Sequence, residues 1–120
     1  MPRILAVDDS ASMRQMVGIT LTGAGYQVEQ AADGCEALEI AGKQRFDLVI
    51  TDVNMPNMDG ITLVRELRNL PTYKYVPLLV LTTEATTERK QQGKAAGATG
   101  WLVKPFNPDR LLATIAKVLA

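Results

Sequence analysis

The stretch ILAVDDSASM, residues 4–13, joins an apolar run directly to two adjacent carboxylates. Ile4–Val7 has the continuous apolar character of a strand that is buried on both faces of a sheet. Asp8 and Asp9 follow at once, and a helical pattern begins after Ser10. Because neighbouring carboxylates repel each other, two acids at the end of a buried strand require a compensating positive charge.

Four more short runs along the chain predict strands, and each of the five runs is followed by a helical pattern. The strand candidates are residues 3–7, 26–31, 47–51, 77–82 and 100–104. The first helix follows the DDS segment and ends at GAG, and the later ones are predicted over 33–44, 59–70, 86–97 and 107–120, with Asp33 and Asn107 as N-caps. Residues 71–75, PTYKY, are expected to form an exposed loop.

Five strand–helix units in succession predict an α/β fold with one doubly wound parallel sheet. Runs one, three and four are almost entirely apolar, which favours helices on both faces of the sheet, whereas the more polar second run favours an edge position. Right-handed crossovers leave few topologies, and we adopt the flavodoxin-like (βα)5 order 2-1-3-4-5 from known folds rather than from strand polarity alone. We expect a single domain over residues 1–120.

The composition excludes several classes of protein. Thirteen basic residues balance thirteen acidic ones, which argues against a nucleic-acid footprint. With no histidine and one cysteine, the chain offers neither histidine-based catalysis nor a zinc site. No apolar run approaches the roughly 18 residues that span a membrane. No signal peptide is evident and a lone cysteine favours a reducing compartment, so we expect a cytoplasmic protein that binds neither membranes nor nucleic acid.

Polar side chains stand at the predicted C-terminal end of four strands. Asp8 and Asp9 follow the first, Asp52 the third, Thr82 closes the fourth and Lys104 the fifth. Because parallel strands all end on one edge, these side chains are expected to converge beside the topological switch point. A like-charged pair about 4 Å apart costs about 4 kcal/mol at an effective dielectric near 20, so the three acids predict Mg²⁺, with Lys104 as a further positive charge.

This set of residues suits phosphoryl transfer. Asp52 would be the nucleophile that forms an acyl phosphate, while Asp8 and Asp9 hold the metal. Thr82 and Lys104 would contact the phosphoryl oxygens, since this reaction depends mainly on positioning and charge stabilisation.

Each residue taken alone has a simpler interpretation. Asp8 and Asp9 are also suited to cap the next helix, and Asp52 to a turn. Thr82 is an ordinary strand residue, Lys104 would ordinarily be solvated and Trp101 would ordinarily pack. The polar helix at 86–97 is at least as consistent with a solvated face as with a partner surface, and its internal Gly93 suggests loose attachment. Because these polar residues coincide with the C-terminal ends of four predicted strands, the functional interpretation is favoured.

Four segments together resemble one protein family. They are VDDS (7–10), DLVITDVNMPNMDG (47–60), LTTEA (81–85) and GWLVKPF (100–106). In order and spacing, they resemble the receiver domains of two-component response regulators, and most of all the CheY-like single-domain chemotaxis regulators. The resemblance implies that Asp52 accepts a phosphoryl group from a phosphohistidine of a partner kinase. It also implies that the backbone carbonyl of Asn54 joins Asp8, Asp9 and Asp52 around Mg²⁺.

The same resemblance assigns a switch and a phosphate lifetime. Thr82 and Trp101 would form the conformational switch, with Trp101 in place of the usual Tyr or Phe. Asn54 and Glu84 would set the phosphate lifetime, and this pair resembles that of chemotaxis regulators with short-lived signals. A cis Lys104–Pro105 peptide bond is also implied. Because indole is bulkier than phenol and lacks the hydroxyl, the inward–outward rotamer change that the resemblance implies for a switch Tyr need not transfer unchanged to Trp101. We expect Trp101 fluorescence to respond to Mg²⁺ or a phosphate mimic.

The expected output is a contact with a separate protein, because the chain ends soon after its fifth helix. Residues 86–120 would bind that target, the flagellar motor switch being one candidate, and the protein is expected to be a monomer that catalyses only its own phosphorylation and dephosphorylation. A phosphorelay carrier is the alternative within the family. An aspartate-nucleophile phosphatase is disfavoured because enzymes of that class carry two acids two residues apart on the first strand, whereas Asp8 and Asp9 are adjacent. A flavin or nucleotide carrier is disfavoured because no glycine-rich phosphate loop follows the first strand.

Overall fold

A computed structural model describes all of residues 1–120. The strands are β1 Arg3–Val7, β2 Gln27–Ala31, β3 Leu48–Thr51, β4 Leu78–Thr82 and β5 Gly100–Val103. The helices are α1 Ala11–Gly23, α2 Gly34–Lys43, α3 Gly60–Arg68, α4 Thr87–Ala96 and α5 Pro108–Leu119, and a single 3₁₀ turn covers Pro71–Tyr73. Each helix lies within the range that the sequence predicts, and Lys104 falls just outside β5.

The five strands form one parallel sheet in the order β2-β1-β3-β4-β5, which confirms the predicted flavodoxin-like topology. β1 lies between β2 and β3, so that Val7 pairs with Ala31 on one side and with Thr51 on the other. All residues of β3 and β4 are buried, whereas the edge strand β2 is largely exposed. The polarity of the second run therefore indicated its edge position correctly.

Alternate residues of β1 show how the sheet divides the core. Leu5 and Val7 belong to an apolar cluster built with α2, α3 and one residue of α4. Ile4 and Ala6 belong to a second cluster, built with α1 and α5 on the other face. None of the helices has both the length and the apolar character needed to cross a membrane.

The side chain of the N-cap residue begins each α-helix. Each cap accepts a hydrogen bond from the backbone N–H three residues further on, and the caps are Ser10, Asp33, Asp59, Thr86 and Asn107. Asp33 and Asn107 were predicted as caps. Ser10 rather than either preceding acid caps α1, so the capping interpretation of Asp8 and Asp9 is wrong and their carboxylates remain available for other contacts.

The segment 71–75 differs from the exposed loop that the sequence predicts. Pro71–Tyr73 forms the 3₁₀ turn, and Tyr73 is 1% exposed whereas Tyr75 is 86% exposed. The Tyr73 hydroxyl lies 2.7 Å from the carbonyl oxygen of Gln44 and 3.0 Å from that of Ala41, and it accepts from the N–H of Phe46 at 3.3 Å. The loop is therefore pinned to the core by an aromatic ring whose polar end is fully satisfied.

A second polar anchor lies at the amino ends of β4 and β5. The guanidinium of Arg68 donates to the carbonyl oxygens of Gly97, Tyr73, Lys74 and Val76 at 2.7–3.2 Å. Burial lowers the pKa of this arginine, and no carboxylate pairs with it. Arg68 thus ties the end of α3 to the 3₁₀ segment and to the C-cap of α4.

Candidate functional site

Three carboxylates meet at the carboxyl ends of β1 and β3. One oxygen from each of Asp8, Asp9 and Asp52 lies within 4.8 Å of the others. Asp8 and Asp52 are only 6% and 9% exposed, while Asp9 is exposed. The structure therefore brings together the three acids that the strand pattern placed on one edge.

Lys104 supplies the positive charge inside this cluster. Its Nζ lies 2.6 Å from Oδ2 of Asp8 and 2.9 Å from Oδ2 of Asp52, so the alternative of a solvated lysine is wrong. Its backbone N–H donates to the carbonyl of Thr82 at 2.8 Å, and the Lys104–Pro105 peptide bond is cis. Burial acts to lower the pKa of Lys104, but its hydrogen bonds to Asp8 and Asp52 and their negative charges outweigh burial and raise it. The two carboxylates therefore favour the charged form of Lys104.

The second oxygens of the buried acids are oriented by the backbone. Oδ1 of Asp52 accepts from the N–H of Val53 at 2.6 Å, and Oδ1 of Asp8 accepts from the N–H of Ser10 at 2.9 Å. The Asp9 side chain has no hydrogen bond or ion pair. Three carboxylates against one bound ammonium leave an excess of negative charge and an oxygen-rich donor set, which fits a hard divalent cation such as Mg²⁺.

Gly60 is a positioning residue that the sequence analysis missed. A Cβ at this residue would lie 1.8 Å from the carbonyl oxygen of Asp52, while the Gly60 N–H donates to the carbonyl of Val53 at 2.9 Å. Only glycine permits α3 to begin this close to the acceptor segment. The signal was the Asp59–Gly60 pair, which we interpreted only as a helix start.

A chain of contacts joins the remaining candidate residues. Thr82 is fully buried, and its Oγ1 accepts from the N–H of Glu84 at 3.3 Å. The carbonyl of Glu84 accepts from Nε1 of Trp101 at 2.8 Å, and its carboxylate accepts from Nδ2 of Asn54 at 3.3 Å. Thr82 has no hydrogen bond to the acids. The four residues form one connected set beside the acidic cluster.

Trp101 lies on a glycine. A Cβ at Gly93 would lie 2.6 Å from Cζ3 of the indole, so the ring occupies the space that any side chain at this position would need. Trp101 is half-buried and packs against the cluster that contains Ala96. Gly93 therefore has a packing reason that the sequence analysis did not identify: it lets a large aromatic ring contact α4.

α4 is the most polar of the helices. Gly93 and Ala96 are its only buried residues. Beside it, Lys90, Lys94 and Trp101 line a depression of about 240 Å³ between α4 and β5. A second one of about 290 Å³ lies between β5 and α5, lined in part by Phe106 and Arg110. The face over residues 86–120 thus combines basic and aromatic groups.

Sequence and structure comparisons give one consistent family. Residues 4–116 match the response regulator receiver domain. The chemotaxis protein CheY4 of Vibrio cholerae is 60% identical, with a TM-score of 0.95 over 98% of each chain. The receiver domain of sensor histidine kinase PA1611 from Pseudomonas aeruginosa, which has a magnesium ion coordinated in its active site cleft, is 30% identical, with a TM-score of 0.92 over 98% of this chain and 97% of that one.

Longer proteins match over one part only. The response regulator MprA of Mycobacterium leprae is 43% identical over 117 residues, which are 98% of this chain and 50% of MprA. The DNA-binding dual master transcriptional regulator RpaA of Synechocystis is 37% identical over 119 residues, or 99% of this chain and 49% of RpaA. The chain therefore spans about half the length of these curated relatives.

Proposed function

The chain belongs to the response regulator receiver family, and we propose that Asp52 is its phosphoacceptor and makes it a phosphorylation-activated switch. Membership implies a histidine kinase as phosphodonor and a downstream target. The observation that carries the proposal is the convergence of Asp8, Asp9 and Asp52 around the ammonium of Lys104. Phosphoryl transfer requires such a prearranged set of charges more than it requires covalent assistance.

In the proposed step, a carboxylate oxygen of Asp52 forms a bond to phosphorus while the phosphorus–nitrogen bond of the donor phosphohistidine breaks. The bonding electrons return to the donor imidazole, which takes up a proton from solvent. This chain has no histidine of its own, so the imidazole belongs to the partner. The N–H of Val53 orients the Asp52 carboxylate, and Lys104 remains close enough to neutralise charge on the transferred group.

We assign Asp8, Asp9, Asp52 and the backbone carbonyl of Asn54 as the residues that would hold Mg²⁺. When bound, the ion would supply positive charge to the phosphoryl oxygens. The support from this chain is the acidic cluster itself, in which Asp9 has no protein partner. The protein's own contribution is to hold Asp8 and Asp52 in fixed orientations through backbone N–H groups.

We assign Thr82 and Trp101 as the switch. A phosphoryl group on Asp52 would attract the Thr82 hydroxyl away from the N–H of Glu84, which now donates to it. Because the Glu84 carbonyl also holds Trp101, that change would reach β5 and α4. The basic and aromatic face over residues 86–120 is the proposed docking surface for the target.

We assign Asn54 and Glu84 as the residues that set the phosphate lifetime. Their polar side chains hydrogen-bond to each other near the acceptor. We expect them to permit attack by water on the acyl phosphate, and therefore rapid self-dephosphorylation. Decay of the phosphorylated protein in Mg²⁺ should be complete within minutes. A phosphorylated form that lasts for hours under these conditions would contradict the assignment.

Treatment with acetyl phosphate and Mg²⁺, followed by intact-protein mass spectrometry, tests the acceptor. The unmodified chain should gain about 80 Da, the mass of one phosphoryl group. Asp52→Asn should gain nothing, and the matched control Asp47→Asn, which removes an exposed acid at the other end of the same segment, should behave like the unmodified chain. An equal gain by Asp52→Asn would show that another residue accepts the phosphoryl group.

A single-domain regulator of chemotaxis is the specific role that we propose, with the flagellar motor switch as target. It is supported by 60% identity to CheY4 over nearly the full length of both chains. The same proposal makes the protein a monomer in the cytoplasm, a setting compatible with a free, exposed Cys35, and limits its catalysis to its own phosphorylation and dephosphorylation.

The partial match to MprA and RpaA favours a second candidate, the receiver part of a transcription regulator. Binding of the phosphorylated chain to a purified flagellar switch protein, measured by fluorescence anisotropy, separates the two. Phosphoryl transfer from Asp52 to a histidine phosphotransfer protein would instead favour a phosphorelay carrier. Repeated turnover of p-nitrophenyl phosphate would identify a phosphatase.

A further inference from the structure

Arg14 contacts the acidic site but has no place in the mechanism above. It lies in the first turn of α1, and its Nη1 donates to the backbone carbonyl of Asp8 at 2.6 Å. Together with Asp8 and Asp52, it lines a small pocket beneath the acids. Asp8 is thereby held at every polar atom, since its N–H donates to Ala31 and its carboxylate accepts from Ser10 and Lys104.

The carbonyl that Arg14 holds belongs to the peptide unit that joins Asp8 to Asp9. Because a peptide unit is planar, fixing its C=O direction also fixes the position of the Asp9 Cα. Asp9 itself has no side-chain hydrogen bond or ion pair that would orient it. Asp9 is therefore placed through its backbone. Arg14 restrains the Asp8–Asp9 peptide unit, and the Ser10 N–H, which donates to Oδ1 of Asp8, restrains the Asp9–Ser10 peptide unit.

The charge of Arg14 makes this placement unusual. Its side chain reaches back from the first turn toward the N-terminus of α1, where the helix dipole disfavours a cation. By simple Coulomb repulsion, a guanidinium beside the acids would also weaken the binding of a divalent cation. If charge were its only effect, Arg14 would thus weaken cation binding. A favourable contribution from Arg14 must come from the way its hydrogen bond orients the backbone.

We propose that Arg14 is a positioning residue for the cation site, which orients the Asp8–Asp9 peptide so that the Asp9 carboxylate completes the ligand set with Asp8 and Asp52. The proposal rests on the proposed function, since it takes Mg²⁺ as the ligand. It makes a prediction opposite in sign to that of charge alone: removing the guanidinium should weaken Mg²⁺ binding.

Isothermal titration of the full chain with MgCl₂ tests this role without any phosphorylation. We expect Arg14→Met to bind Mg²⁺ at least fivefold more weakly than the unmodified chain, and Arg14→Lys to be intermediate, because lysine keeps the charge but loses the planar fork. Arg45→Met, which removes an exposed arginine before β3, is the matched control and should bind normally. Thermal unfolding without Mg²⁺ shows whether each variant is folded at the titration temperature.

The outcomes separate the two proposals. Unchanged or tighter Mg²⁺ binding by a folded Arg14→Met, with normal binding by the unmodified chain, would overturn the positioning role and leave the proposed function intact. Failure of the unmodified chain to bind Mg²⁺ would overturn both. Should Arg14→Met fail to fold, Arg14→Lys decides: affinity equal to that of the unmodified chain would contradict the role, and a loss of twofold or more would support it.

Discussion

The two ends of the sheet both bury polar side chains, but they satisfy them in opposite ways. At the amino ends, the side chains of Arg68 and Tyr73 hydrogen-bond almost entirely to neutral carbonyl groups, and each of their polar atoms has a partner. At the carboxyl ends, Lys104 is shared by two carboxylates, and the third, Asp9, has no partner. We infer from this comparison that the contacts at the amino ends serve to stabilise the fold, whereas the carboxyl ends retain negative charge that folding alone does not require.

The largest effect is expected at the amino end, from Arg68→Met. This change would leave several partly buried carbonyls without a donor and release the C-cap of α4, and we expect a loss of about 2–4 kcal/mol in the free energy of unfolding. Urea denaturation measures it. The matched control is Arg65→Met, one turn earlier on the exposed face of α3, with an expected change within about 0.5 kcal/mol. Equal effects of the two would show that the Arg68 contacts add nothing to stability.

α4 contacts both ends of the sheet, because Arg68 binds its C-cap and Trp101 packs on Gly93. Gly93→Ala tests the second of these contacts. The added methyl would overlap the indole of Trp101, so we expect a loss of about 1–3 kcal/mol and an altered Trp101 emission spectrum. Gly42→Ala is the control: nothing lies near its Cβ position at the end of α2, and there alanine should stabilise by about 0.5–1 kcal/mol. A Gly93→Ala protein with unchanged emission would mean that the ring does not depend on the glycine.

Tyr73→Phe removes the hydroxyl that hydrogen-bonds to the backbone at the amino end of the sheet, and the pH dependence of the free energy of unfolding tests its contribution. Burial raises the pKa of the Tyr73 hydroxyl above its usual value of 10.0, despite the opposing hydrogen bond from the Phe46 N–H. The stability it contributes is therefore complete below the unfolded pKa, near 10, and is lost as pH rises through the higher folded pKa.

At neutral pH we expect Tyr73→Phe to cost about 1–2 kcal/mol, because it removes the single O–H that lies between the carbonyls of Ala41 and Gln44 and also the acceptor of the Phe46 N–H. Above pH 10, where Tyr73 of the unmodified chain begins to lose its advantage, the difference between the two proteins should shrink. Urea titrations at several alkaline pH values measure both effects. Tyr75→Phe, at an 86% exposed position, should match the unmodified chain throughout.

The smallest effect, and one of opposite sign, is expected at the carboxyl end from Asp9→Asn. Since Asp9 has no partner, neutralising it removes only repulsion, and without Mg²⁺ the fold should become more stable by roughly 0.5–1 kcal/mol. The same variant should gain less thermal stability than the unmodified chain when Mg²⁺ is added. Asp109→Asn, in the first turn of α5 where the helix dipole favours an acid, should be neutral or slightly destabilising. Destabilisation by Asp9→Asn without Mg²⁺ would contradict the contrast between the two ends.

Most of the fold follows from periodicity, because a strand buried on both faces and a helix with one apolar stripe leave distinct patterns. The strand runs, the edge position of β2 and the caps Asp33 and Asn107 were all predictable in this way. The convergence of Asp8, Asp52 and Lys104 was also predictable, since parallel strands end on one edge. The burial of Tyr73 was not, because nothing local distinguishes it from Tyr75 two residues later.

The sequence by itself determined the succession of strands and helices along the chain and which polar residues stand at or just after the strand ends, because those properties depend on neighbours a few positions away. Only the tertiary structure decided that Gly93 lies under Trp101, that Gly60 lies against Asp52, and that Arg14 and Arg68 bind particular carbonyls. The physical reason is that such contacts join segments whose separation in space is set by packing of the whole core. No local sequence pattern distinguishes a glycine or an arginine that makes such a contact from one that is exposed to solvent.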